Sequence, residues 1–383
     1  MSYIPSVNIE QGLSDDFQYV VTSNSQTVWG SIISSFNDGL HSFSIVGNYG
    51  TGKSSFIAAL QRDLLKGTNV LVQRKDVLGC SKFEFINIVG DYESLSTLLA
   101  KKLGIDTFAT TEEVIEALNQ KYNALKRQNK FLFIVVDECG KVLEHAAANN
   151  PEKELYFLQK LAEYVNAKHR NIILLTTLHQ NFGTYSYKLN DAQRNEWMKI
   201  KGRLKELVFV EPIEQLLYLT ASQLKKKIAT PTDIAKENLR ALYCLAKKNK
   251  IVSYDLALST SMSLYPLDSI SSTCLIHSMQ RYGQNERTLF SFLMATDRYS
   301  ISAFKVTDYR TYNLAEVYDY VVYNFYSFLS EANADSMDWR SMRLAIERVE
   351  SGILADNLVD GISFNCNIFN QKYIYDIFVL CTI

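Results

Sequence analysis

The sequence predicts an α/β fold: a P-loop core with a parallel sheet flanked by helices, then an α-helical lid and a helix-rich C-terminal region. Three observations carry this. A Gly-rich turn at 47–54 joins a β-prone run to an apolar helical pattern. Two continuous apolar runs, Phe131 to Val136 and Ile172 to Leu175, have the character of strands buried on both faces, as parallel sheets require. Beyond Pro212 the periodicity becomes helical throughout. The chain has 383 residues, enough for two or three domains with their own cores. Its 16 Gly and 5 Pro are too few for long linkers or a disordered class. With 40 Lys+Arg against 41 Asp+Glu, the surface as a whole does not attract nucleic acid or membrane. No run of about 18 apolar residues predicts a spanning helix, and the polar N-terminus lacks a signal-peptide core. The six scattered cysteines read as buried thiols in a reducing compartment. A cytoplasmic protein is expected.

The turn is the most informative segment. Ser42 to Val46 reads as a strand, and Phe56, Ile57, Leu60 and Leu64 mark the buried stripe of a helix. Between them lie Gly47, Asn48, Tyr49, Gly50, Thr51, Gly52, Lys53 and Ser54, followed by Ser55, a complete GxxxxGK[ST] pattern in strand–loop–helix context. Gly50 and Gly52 let backbone N–H groups turn inward around phosphates. Lys53 reaches the β and γ phosphates, the Ser54 hydroxyl ligates Mg²⁺, and the helix adds its positive end. The segment predicts a site for ATP with Mg²⁺.

The strand Phe131 to Val136 ends in Asp137 and Glu138. Asp137 is the expected metal partner of Ser54, and Glu138 the group that orients and deprotonates the attacking water. The strand at 172–178 ends in Thr176, Thr177, His179 and Gln180, where additional-strand ATPases place a γ-phosphate sensor; Thr177 and His179 are the two candidates. A helix from Asp191 to Lys201 leads through Gly202 and Arg203 to a fifth strand at 207–211. An Arg just before that strand points away from its own nucleotide, so Arg203 is the candidate arginine finger acting in trans, with Arg194 as the spare. A solvated cation at a helix C-terminus is the plain alternative for Arg203.

In that order, these segments resemble the AAA+ ATPase core. More narrowly, VVDECGKVLEH, LYFLQKLAEY, TTLHQNF, NEWMKIKGR and YGQNERTLFSFL look like bacterial AAA+ or STAND-type ATPases associated with phage defence. The resemblance spans residues of about 20 to 330. It implies an oligomeric, Mg²⁺-dependent ATPase that drives or gates a partner effector in antiviral defence. It also implies that Arg287 is a second sensor contacting the phosphates. The residues add a reason of their own: Arg287 falls in the first turn of an apolar helical run, where a cation is unfavourable unless an anion lies close.

The organisation expected is an N-terminal lead and helix framing the nucleotide (1–40), the α/β core (41–212), the lid (213–302) and a helix-rich remainder (303–383). Two β-like stretches are expected within 69–90, the second being the core strand. Helices are expected at 26–36, 95–103, 111–126, 155–167, 213–228, 231–248, 254–264, 268–282, 286–295, 314–329 and 339–353. Charge is uneven: 201–250 carries 11 Lys+Arg against 5 Asp+Glu, and 301–383 carries 6 against 11. The basic stretch could track a phosphate backbone, which keeps a DNA-binding initiator or loader ATPase as the alternative. A solvated helix face explains it too, as does docking of the acidic 301–383 tail on a neighbouring subunit's basic lid. A non-hydrolysing, ATP-dependent scaffold is the third reading. Cys139 beside Glu138 reads as a space-filling residue, and Lys141 with Glu144 as a helix ion pair or a site-orienting pair.

Overall fold

The computed structural model describes residues 8–10, 19, 21–48, 50–73, 79–186, 189–210, 213–224, 231–253, 256–282, 289–294, 297–306, 311–330, 337 and 340. The chain divides into two compact units, 1–210 and 211–383.

In the first unit, α1 (Ser23–Asn37) precedes β1 (Ser42–Val46), and α2 (Lys53–Lys66) follows the Gly-rich turn. Then come β2 (Lys82–Val89), α3 (Leu95–Leu103), α4 (Thr111–Arg127), β3 (Lys130–Asp137), α5 (Cys139–Ala148) and α6 (Pro151–Val165). The unit ends with β4 (Ile172–Leu178), α7 (Asp191–Lys201) and β5 (Lys205–Val208). The five strands form one sheet in the order β2–β3–β4–β1–β5, and every pairing is parallel. An additional strand, β4, therefore lies between the strand of the Gly-rich turn and the strand of Asp137.

Alternation builds two cores from the continuous apolar runs. Phe131, Phe133 and Val135 of β3, with Ile173 and Leu175 of β4, join Phe43, Ile45, Phe56 and Leu60 on the face covered by α1 and α2. Leu132, Ile134 and Val136, with Ile172 and Leu174, join residues of α3 to α7 on the other face. Each large side chain buried this way contributes about 2 kcal/mol of transfer free energy. A strand whose every residue faces one core or the other cannot show the polar alternation of a half-exposed strand.

Where it is described, at 69–73, the first β-like stretch is not a strand. Its amides go to a buried carboxylate instead of a ladder: Asp63 accepts N–H bonds from Val70 (3.0 Å), Leu71 (2.6 Å) and Val72 (2.8 Å), and an O–H bond from Thr68.

The helices are the regular elements described in the second unit, with an isolated parallel bridge between Leu267 and Tyr312. The unit contains α8 (Ile213–Leu224), α9 (Asp233–Lys248), α10 (Leu258–Met262), α11 (Ser269–Tyr282), α12 (Leu289–Met294) and α13 (Leu314–Ser330). They enclose a separate core around Leu275, Phe292, Tyr312 and Tyr320. Among the described residues of the helix expected at 254–264, only the five of α10 are helical. Its Ser/Thr content offers the backbone other partners, as in the bond from Ser263 Oγ to Ser259 O at 2.9 Å. The helix expected at 339–353 falls almost wholly outside the described residues. Among the described residues, no helix is long and apolar enough to cross a membrane.

Candidate functional site

Parallel strands bring their C-terminal ends to one edge, and the residues that the motifs single out gather there. The turn from β1 to α2 enters its helix through Gly52 at φ 90°. A side chain would be strained in that conformation, and it lets the first N–H groups of α2 face outward as an anion site. Lys53 opens the helix and is buried, with its Nζ donating to Gly47 O (2.5 Å) and Asn48 O (2.8 Å). Thr51 Oγ1 donates to the same Asn48 carbonyl (2.9 Å). Burial pulls the Lys53 ammonium down to about 8, although the nearby charges of Asp137 and Glu138 oppose the shift. Ser54 and Ser55 are half-buried in the first turn of α2. Tyr49 lies outside the described residues.

The end of β3 supplies the carboxylates. Asp137 is buried. Its Oδ1 accepts a hydrogen bond from Thr177 Oγ1 (2.6 Å) and one from the Glu138 amide (3.1 Å). The Glu138 amide also donates to Thr177 Oγ1 (2.9 Å), so one hydroxyl on β4 fixes both acidic residues. Neither bond to Asp137 uses Oδ2. Glu138 has φ 53° and ψ 35°, a left-handed backbone conformation uncommon for a side chain of its size. This bend ends β3, starts α5 and turns the Glu138 carboxylate into a half-exposed position. There it pairs with Lys141 one turn on, at 2.5 Å.

Gly90 is a site residue that the motifs missed. It follows β2 and donates its N–H to Asp137 O (2.7 Å). A Cβ at Gly90 would lie 2.4 Å from the Glu138 carbonyl oxygen. The strand end that carries the two acids thus closes against bare backbone. The signal available in the sequence was a lone Gly at the end of a β-prone run, whose partner no local pattern reveals.

The two sensor candidates separate. Thr177 is buried and engaged with Asp137 and Glu138. His179, one residue past β4, lies near the cations: burial first, then the charges of Lys53 and Lys141, pull its imidazole down to about 3. It is therefore neutral at pH 7. Arg203 lies just before β5, whose Lys205 pairs in register with Phe43 near the start of β1. This is the sheet edge opposite the Gly-rich turn. Its guanidinium contacts Glu163 (3.0 Å) and Lys199 O (3.1 Å). Arg194 sits in the first turn of α7, bonded to Leu189 O at 3.2 Å. Arg287 and Lys225 to Lys227 lie outside the described residues. Cys139 is buried and its thiol is pushed up to about 12, so it remains protonated and fills space.

The donor set fits a magnesium ion. Among the described residues no group of three or more His, Cys, Asp or Glu could cage a metal. A hard ion that keeps its waters and shares phosphate oxygens needs only one carboxylate and one hydroxyl from protein, and Asp137 and Ser54 supply that pair.

Residues 18–179 match the family model for "Type III restriction enzyme, res subunit". The match runs from before α1 through β4 and so includes the Gly-rich turn, Asp137, Glu138 and Thr177. No curated protein sequence matches the chain. Among solved structures, the Aeropyrum pernix ORC2 protein in its ADPNP–ADP complexes is 13% identical, with a TM-score of 0.43; the match covers 96% of this chain and 88% of that one. The Aeropyrum pernix ORC1 protein in complex with DNA is 15% identical, with a TM-score of 0.35 and coverage of 82% and 80%. Cdc6p from Pyrobaculum aerophilum is 15% identical, with a TM-score of 0.29 and coverage of 72% and 66%. Motif, site geometry and family model agree on a P-loop core, and the strand order adds a central strand between β1 and β3.

Proposed function

We propose that the chain is a Mg²⁺-dependent ATPase of the AAA+ type. The observation that carries this is the convergence of Lys53, Asp137, Glu138, Thr177 and His179 on one edge of the parallel sheet. Lys53 is close enough to both carboxylates for their charges to bear on its ammonium. The amides of residues 47–52 and the first turn of α2 hold the phosphates, and Lys53 leaves the Gly47 and Asn48 carbonyls to bind the β and γ oxygens. Ser54 and Asp137 would hold Mg²⁺, which would supply charge neutralisation to the phosphates. Thr177 holds Asp137 and the Glu138 amide in place. Glu138 accepts the proton of the attacking water, for which its carboxylate exchanges Lys141 for that water. Of the two sensor candidates, Thr177 and His179, we assign His179, neutral and near the Lys53 charge, the hydrogen bond to the γ-phosphate.

Arg203 acts on the nucleotide of a neighbouring subunit, a role that requires it to release Glu163. Arg287 acts in cis as the second sensor. Support for a homo-oligomer that drives a defence effector comes from the sequence strings around 138–203 and 283–293. The test is direct. Lys53→Ala should abolish ATP binding, whereas Glu138→Gln should keep binding and lose turnover by about a hundredfold or more. A Glu138→Gln protein hydrolysing at the wild-type rate removes Glu138 as the base.

One observation favours the second reading, a DNA-gripping initiator or loader. Lys236, Arg240 and Lys248 are all exposed on α9. That reading requires DNA affinity that falls steeply with salt. The scaffold reading requires assembly with ATP and no turnover.

A further inference from the structure

Glu138, the proposed base, is held by a cation that the P-loop motif does not require. It caps α5 in a left-handed conformation, but its side chain makes no capping bond to that helix. The carboxylate instead meets Lys141 Nζ, one turn into α5, at 2.5 Å. No acidic residue lies in the first turn of α5, a place where a lysine is unfavourable without an anion close by. The two side chains are 38% and 49% exposed, so the pair adds little to stability. Its surroundings give it another use. The charges of Lys53 and Lys141 both bear on the His179 imidazole, and that of Glu138 bears on the Lys53 ammonium. Lys53, Glu138, Lys141 and His179 thus form one electrostatic cluster at the ends of β3 and β4, beside the Gly-rich turn.

ATP and ADP differ in the group that such a cluster would meet. The γ-phosphate brings about two negative charges and three acceptor oxygens, against the single charge of a carboxylate. ADP ends at the β-phosphate, which the turn amides and Lys53 hold. We propose, and the proposal rests on the ATPase reading, that Lys141 is the residue that tells ATP from ADP. Its ammonium leaves Glu138 for the γ-phosphate of ATP and stays on Glu138 when ADP is bound. One exchange then has two effects. It adds a charge-assisted contact that only ATP offers. It also frees the Glu138 carboxylate for water only when there is a γ-phosphate to attack. Once that phosphate departs, Lys141 returns to Glu138.

The test is binding, read apart from turnover. Calorimetry of the full chain with Mg²⁺ and either ADP or the β,γ-imido analogue of ATP should show the wild type preferring the analogue. Lys141→Ala should weaken the analogue by roughly tenfold and leave ADP unchanged, so the preference collapses. Lys141→Arg keeps a cation suited to phosphate and should keep the preference. The thermal midpoint of Lys141→Ala should stay at the wild-type value, because an exposed pair holds little of the fold. The assignment is overturned by a wild type that binds both nucleotides equally, or by Lys141→Ala weakening both alike or neither. It is also overturned if Lys141→Arg loses the preference as fully as Lys141→Ala. Each of those outcomes leaves nucleotide binding itself in place. A wild-type chain that binds neither nucleotide, or a Lys53→Ala chain that binds as well as wild type, instead removes the ATPase reading and the role of Lys141 with it.

Discussion

One hydroxyl organises the acidic end of β3. Thr177 Oγ1 donates to Asp137 and accepts from the Glu138 amide, so its loss leaves a buried carboxylate and an amide short of partners together. Thr177→Val keeps the shape and removes both bonds. Turnover should fall roughly 10–100-fold, as for other residues that orient ligating groups, while Thr177→Ser restores most of it. A Thr177→Val enzyme with full turnover would show that backbone alone positions Glu138. Lys53 gives a pH prediction. Its folded pKa of about 8 lies below the ordinary lysine value, and bound phosphate raises it again by favouring the ammonium. Below pH 8 the free protein already carries the proton that binding needs. Above pH 8 binding must take a proton up, so ATP affinity should be level on the acid side and weaken by up to about tenfold per pH unit beyond it. Calorimetry in two buffers of different ionisation enthalpy should find uptake of about one proton above pH 8 and none well below it. A flat profile to pH 9.5 would contradict the buried-lysine assignment.

At the scale of elements, the strands and their acidic ends were legible because parallel strands buried on both faces write themselves as unbroken apolar runs. β1 and α3 have the bounds that periodicity predicts. Two features were not legible, for a shared reason: the deciding partner lies on another element. Gly90 is required by the Glu138 carbonyl 48 residues later. The stretch at 69–73 has strand-like composition but gives its amides to Asp63, inside a helix, which no β pattern anticipates. Asp63 is buried and serves three amides and a hydroxyl, so Asp63→Ala strands them at once. The cost should be about 3 kcal/mol, read as a lowered urea midpoint with unchanged m-value. A loss below about 1 kcal/mol would mean that water replaces the carboxylate, leaving the 69–73 loop without the anchor assigned to it.

Across the whole molecule, near-neutral total charge conceals a division of labour. The first unit carries the P-loop edge, the second the cationic face of α9, and each encloses its own core. A ligand that binds one unit stabilises that unit against opening by RT ln(1 + [L]/Kd), about 2.7 kcal/mol at a hundred times Kd. The P-loop residues and the carboxylates Asp137 and Glu138 lie before residue 180, so Mg-ATP should slow amide exchange in β1, α2 and β3 by roughly a hundredfold under those conditions. Exchange in α9 and α11 should change far less in a monomeric, dilute sample, because those helices close around a different set of side chains. Lys53→Ala should erase the protection in the first unit. Protection that spreads equally through α9 and α11 of a dilute monomer would instead mean that the chain opens as a single cooperative body.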